Sequence, residues 1–175
     1  MSGASNLKKA MEELSKREVR IGWFEGNEYP DGTSVAQVAA WNEFGATRQL
    51  KNGRTLVLPA RATLRNTIEN SGDEMREAVR QMMPAMIATG KYEQGLALIG
   101  QQAVSCVQDT IEAGLPPPNA KATVEGMVLG KDANGNERRA GSASAANRTF
   151  GQGKGFNTPM IDTGQLKNTV TYEVT

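Results

Sequence analysis

One long periodic stretch, Tyr92 to Ala113, limits how this chain folds more than any other feature. Leu96, Ile99, Ala103, Val107 and Ile111 recur at helical spacing, and Gly114 with Pro116, Pro117 and Pro118 ends the run. A helix of about six turns with one apolar side must be covered along its length. The flanking sequence has to supply that cover.

Upstream, Ser5 is placed to cap a short helix with Leu7, Met11 and Leu14 on one face. Val19 to Phe24 reads as a strand with Val19, Ile21 and Trp23 on one side, and Gly26 to Gly32 as a turn region. Thr33 or Ser34 caps a second helix through Val35, Val38 and Trp41 to Phe44, and Gly45 stands where a left-handed residue ends it. A basic polar stretch follows, Arg48 to Arg54, with Asn52-Gly53 as a hairpin turn and Thr55 to Leu58 as a strand closed by Pro59. Arg61 to Asn70 is expected to be helical. A further helix starts at Ser71 or Asp73 and carries Met75, Val79, Met82, Met83 and Met86, and Pro84 predicts a kink or break in it.

Downstream the chain changes character. Thr123 to Leu129 predicts a strand, Asn134-Gly135 a hairpin turn, and Gly141 to Ala146 with Gly151 to Gly155 are rich in small residues. A long flexible loop or arm is therefore expected at about 126–157. Asp162-Thr163-Gly164 is a turn, with Asp162 accepting backbone hydrogen bonds and Gly164 at positive φ. Val170, Tyr172 and Val174 alternate along a last strand. The order predicts one α+β domain over 1–175: a small, mostly antiparallel sheet with helices packed on one face.

Composition narrows function by exclusion. The 175 residues suit one domain, and 38% apolar content with 19 glycines describes a modest core plus irregular segments. A net charge of +1 argues against a general nucleic-acid binder. The polar start, Met1 to Lys9, lacks a signal-peptide core, and no window has the apolar length of a membrane span, so a soluble protein without a standard export signal is expected. Cys106 is the single cysteine and there is no histidine, which removes intramolecular disulfides, thiolate metal clusters and every histidine-based triad. No phosphate-binding loop is present; the glycines at 151, 153 and 155 follow no predicted strand and open no helix.

One motif imitates an active site. Met160-Ile161-Asp162-Thr163-Gly164 has the form in which an aspartic protease displays its catalytic aspartate. That chemistry needs two carboxylates sharing a proton, and the motif occurs once with eleven residues after it. Glu12-Glu13 and Asp73-Glu74 read as solvated helix charges. No catalytic residue, cofactor or metal ligand is expected, and the chain reads as a non-enzyme.

Three blocks, in this order and spacing, carry a resemblance. The first is Val19-Arg20-Ile21-Gly22-Trp23-Phe24 with Val35 to Gly45, which ends Trp41-Asn42-Glu43-Phe44-Gly45. The second is Leu58-Pro59-Ala60-Arg61-Ala62-Thr63-Leu64-Arg65. The third is Pro159 to Leu166 with Thr169 to Val174. Together they resemble the tail-completion and neck proteins of long-tailed bacteriophages, also called minor tail or virion-morphogenesis proteins. Ala62-Thr63 and Met160 depart from the family pattern, and 126–157 is longer than usual. The resemblance implies a structural protein of the virion neck, made in the bacterial cytoplasm, that caps the tail tube and joins it to the head connector. It also implies a homo-oligomeric ring, hexameric by family expectation, with DNA passing through its lumen. Head-closure or connector proteins and tail-tube or tail-terminator proteins are the implied partners.

Interface candidates follow from such a role. Trp41, Glu43 and Phe44 close a helix; Trp41 and Phe44 are core residues in the plain reading and interface anchors if exposed. Arg61 and Arg65 share a helix face and are ordinary solvated charges, neighbour contacts or lumen lining. Arg138, Arg139, Arg148 and Lys154 make the 126–157 arm basic, suited to docking on protein or to non-specific contact with DNA phosphates. Tyr172 lies on the last strand, which pairs within the monomer or with a neighbour. The rival positions in the same particle are head closure, connector and tail terminator. The rival from another class is a basic-loop nucleic-acid-binding module.

Overall fold

The computed structural model describes residues 3–49, 53, 55–141, 143, 148 and 152–175. The periodic stretch forms α4, Tyr92–Ala113, against which the preceding helix and the first and last strands pack. Before it comes α3, Thr63–Thr89, turning into α4 through Gly90, whose left-handed φ of 69° closes the helix. Hydroxyls of Thr67 and Thr110, hydrogen-bonded at 2.9 Å, join the two helices in their buried seam.

The two ends of the chain also meet on α4. Strand β1, Val19–Gly22, pairs antiparallel with the last strand, Thr171–Val174, in the register Val19↔Val174 to Gly22↔Thr171. Val107 and Ile111 of α4 are buried with Val170, and Ile21, Trp23, Leu64, Met160 and Ile161 close around them. A second cluster joins Val35 and Ala39 of α2, Val35–Phe44, to Leu166, again with Trp23 and Met160. Trp23 therefore belongs to both clusters, and its Nε1 donates to the Leu166 carbonyl at 2.7 Å. Residues more than 140 positions apart thus share one core.

Two glycines set how closely α4 is approached. A Cβ at Gly100 would overlap the Tyr172 ring, and one at Gly95 would overlap the Met86 side chain. The last strand and the end of α3 sit directly on the backbone of α4 as a result.

The α+β class is as expected, with all strand pairing antiparallel. The strands do not form one sheet, however, but three ladders of two strands. Strand β2, Ala46–Gln49, pairs with β3, Thr55–Leu58, and β4, Val128–Lys131, with β5, Glu137–Arg139. The first hairpin begins earlier than the basic stretch suggested; Gly53 has φ 77°, and Asn52 lies outside the described residues. Gly45 has positive φ, 76°, but its ψ of 164° is extended rather than left-handed, so the chain passes straight from α2 into β2.

Other expectations are corrected. The helix boundary near Ser71 and the break at Pro84 do not occur: α3 is continuous through both. Pro84 lies on the exposed side of α3, where water can take up the carbonyl left without an N–H partner. Thr123 to Leu129 is not one strand. Its start belongs to α5, Lys121–Val124, and pairing begins at Val128. The remaining elements are α1, Gly3–Leu14, and α6, Gln165–Asn168, which leads into the last strand, β6. No helix of the described residues is long and apolar enough to cross a membrane.

Candidate functional site

The stretch Trp41-Asn42-Glu43-Phe44 divides its work residue by residue. Ser34 caps the helix that carries it, its side chain accepting from the Gln37 N–H. Asn42 is buried; its Nδ2 donates to Val38 O at 2.8 Å, and its own carbonyl accepts the Arg61 N–H at 2.6 Å. Glu43 reaches the start of α3, accepting from the Leu64 N–H at 2.9 Å and the Arg65 N–H at 3.4 Å. Ala62 at the N-cap has no side chain for this, so a residue 21 positions earlier supplies the cap and a negative charge at the helix N-terminus. Trp41 and Phe44 face outward instead, Phe44 at 74% exposure.

Arg61 ties the second block to the Pro117–Pro118 segment, and Lys154 and Arg148 tie the arm to the third block. Arg61 is buried, with Nε donating to Pro117 O at 2.9 Å and Nη2 to Pro118 O at 3.4 Å. Burial pulls its guanidinium below the usual arginine range. Lys154 is also buried. Its ammonium donates to Thr158 O and, at 2.8 Å, to Ile161 O, and stands 4.5 Å from the centre of the Phe156 ring. Burial pulls this ammonium below the ordinary lysine range, and the nearby Asp162 charge acts against that. Arg148 holds Asp162 with two parallel hydrogen bonds, 2.8 Å from Nη1 and 2.5 Å from Nη2. The hydrogen bonds that Arg148 donates to Asp162 raise its guanidinium above the usual arginine range. Asp162 was expected to accept backbone N–H groups; its carboxylate is held by an arginine of the arm, and by no second carboxylate of the kind a protease requires.

The base of the arm is ordered by backbone contacts. Gly153 exchanges hydrogen bonds with Gly141 and Ala143, and the Lys154 and Gly155 N–H groups donate to Thr123 O and Val124 O at 2.8 and 2.9 Å. A Cβ at Gly153 would overlap the backbone at Val124 and Gly126. That glycine serves close packing, a role hidden in a run that reads as flexible.

These groups line an open cleft of about 620 Å³, walled by α2 on one side and by the 159–164 turn on the other. Met160 sets the turn, with φ 61°, the one positive value among described non-glycine residues. Its side chain packs into both core clusters, which holds the unfavourable backbone in place.

The hairpins present the opposite chemistry. Leu56 and Val57 of β3 are 57% and 63% exposed, beside Phe44 in the sequence order α2–β2–β3. Met127, Val128 and Leu129 at β4 are 40%, 48% and 67% exposed. Each ladder has only two strands, so among the described residues every strand keeps one unpaired edge.

Of the predicted interface residues, Trp41, Phe44, Arg65 and Arg138 are exposed. Arg61 and Lys154 are not free surface charges. Arg61 also precedes α3, so it shares no helix face with Arg65. Arg139 is largely covered and pairs with Glu125 at 3.2 Å and Glu137 at 2.5 Å. Tyr172 packs on α4, and β6 pairs with β1 inside the monomer. No protein-family model matches the chain, and neither a curated protein nor a solved structure does.

Proposed function

We propose that this chain is a structural protein of the neck of a long-tailed bacteriophage, a tail-completion protein that closes the tail tube and joins it to the head connector as one subunit of a ring. The observation that carries this reading is the apolar surface on its hairpins. Leu56, Val57, Val128 and Leu129 lie exposed on strands with unpaired edges, and Phe44 and Trp41 are exposed at the end of α2. Surface of this kind is covered in an assembly, where edge strands supply main-chain hydrogen bonds and aromatic residues supply anchors.

The packing gives independent support. The three blocks that carry the family resemblance form one body: β1 pairs with β6, Trp23 bonds Leu166, Glu43 caps α3, and Thr63 contacts Met160. Ring closure requires head-to-tail contacts between unlike surfaces, and the hairpins and the cleft are unlike surfaces of one chain. Arg139, Arg148 and Lys154 are engaged within the monomer, which leaves the arm fewer charges for DNA than its sequence suggests.

Imaging labelled particles, and particles lacking the gene, tests the proposal. The expected result is label at the head–tail junction and, without the protein, defective tails or unjoined heads and tails. Unfinished tails assign tail completion, and finished but unjoined tails assign head closure. Intact infectious particles without the protein would overturn the structural reading.

A further inference from the structure

Arg61 and Lys154 are two buried cations with no direct ion pair, although the Asp162 charge lies near Lys154. Neither forms an ion pair with any of the chain's 19 carboxylate side chains, all of which lie among the described residues. Their hydrogen-bond partners are neutral carbonyls of Pro117, Pro118, Thr158 and Ile161. Taking a charge out of water is costly, and carbonyl dipoles offset only part of that cost. Both residues also keep donor capacity: Nη1 of Arg61 and the third N–H of Lys154 have no hydrogen-bond partner among the described residues, although the ammonium also faces the Phe156 ring.

A third donor belongs to the same cleft. Nδ2 of Asn119 is buried and has no hydrogen-bond partner among the described residues. A buried amide N–H₂ left unsatisfied is uncommon and calls for a missing acceptor. Arg61, Lys154 and Asn119 all line the 620 Å³ cleft. Arg148 lines it too, already gripping one carboxylate, that of Asp162.

We propose that this cleft is an anion site that receives a single carboxylate, presented on an acidic side chain of the protein against which this chain assembles. The inference supplies the partner chemistry for the neck reading and rests on that reading for the source of the carboxylate. Three features favour a lone carboxylate over a phosphate backbone. The lining holds three cations and two carboxylates, Asp31 and Asp162, which leaves room for one negative charge and repels a row of them. Trp41, Val38, Leu58 and Met160 make apolar walls suited to the aliphatic stem of a glutamate or aspartate. Arg148 with Asp162 shows a guanidinium of this cluster binding a carboxylate in bidentate form.

The test is a nitrogen-15 NMR titration of the whole chain with N-acetylglutamate, its neutral analogue N-acetylglutamine, and inorganic phosphate. Saturable shifts are expected at Asn119 Nδ2 and Arg61 Nε with N-acetylglutamate, with a Kd on the order of 1 mM for so small a probe. N-acetylglutamine should leave both signals in place. Lys154→Met should weaken the response about tenfold, the effect of losing one charge-assisted hydrogen bond. If that variant fails to fold, the comparison of the two analogues on the unaltered chain still decides. No saturable shift, or equal shifts with the neutral analogue, overturns the site. Tighter binding of phosphate than of N-acetylglutamate overturns the carboxylate and points to nucleic acid. The titration reads the site in the isolated chain and particle imaging reads location, so failure of one is distinguishable from failure of the other.

Discussion

The body built on α4 and the two hairpins use the same kinds of residue to opposite ends. Ile21, Val107, Ile111 and Val170 are branched apolar residues sunk between β1, β6 and α4, and Leu56, Val57, Val128 and Leu129 stand in water. The body's strands are brought together from the two ends of the chain, whereas each hairpin pairs only with its sequence neighbour. The contrast separates two jobs. Apolar residues on long-range elements hold the fold, and those on local hairpins add little to it and stay exposed. Mutations that separate stability from assembly can break or sharpen this division.

The largest effect is expected at the centre of the body. Ile111 is fully buried, and Ile111→Ala should cost about 2–5 kcal/mol by removing packed methyl groups and leaving a cavity. Urea unfolding measures it as a lower midpoint at unchanged slope. A loss under 1 kcal/mol would mean that the α4 seam is not the core. Next is Gly100→Ala, which pushes a methyl group into the Tyr172 ring and should cost about 1–3 kcal/mol. In a Tyr172→Leu background the cost should shrink, because the overlapping ring is gone. Equal costs in both backgrounds would refute the contact.

A smaller effect is expected at the helix start that Glu43 caps. Glu43→Ala should cost about 1 kcal/mol, the usual size of a lost N-cap, and hydrogen exchange should quicken at Leu64 and Arg65 before the rest of α3. Unchanged exchange there would sever the link between α2 and α3.

What the sequence revealed follows the same division. Periodicity located α4 to its end residues, because a long amphipathic helix repeats its signal many times. Asn134-Gly135 placed the β4–β5 hairpin, since an Asn-Gly turn acts locally. The α3 boundary was misread because Ser71 is an able cap in isolation, and the packing of α3 on α4 overrides that preference. The cleft was the least legible part. Arg61, Asn119, Lys154 and Asp162 are spread over a hundred positions, and an arginine bound to carbonyls has no sequence mark that separates it from a solvated one. Gly153 gave no signal either, because close approach of backbone to backbone becomes visible only in three dimensions.

The smallest expected change in stability accompanies the sharpest expected change in assembly. Leu56 and Val57 are mostly exposed, so replacing them with Ser and Thr removes little buried area, and the unfolding midpoint should move by less than about 0.5 kcal/mol. Thr keeps the branched shape that a strand favours, and the register Arg48↔Leu56 and Thr47↔Val57 relies on main-chain bonds that the substitutions leave intact. Oligomeric state then carries the decision. Analytical ultracentrifugation of the unaltered chain should show concentration-dependent association, and the double variant should sediment as monomer over the same range. A stable variant that still associates would move the contact to the Val128–Leu129 hairpin, where the corresponding substitutions repeat the test. A variant that unfolds would break the comparison itself, because the β2–β3 hairpin would then belong to the core and its exposed residues would no longer mark an assembly surface.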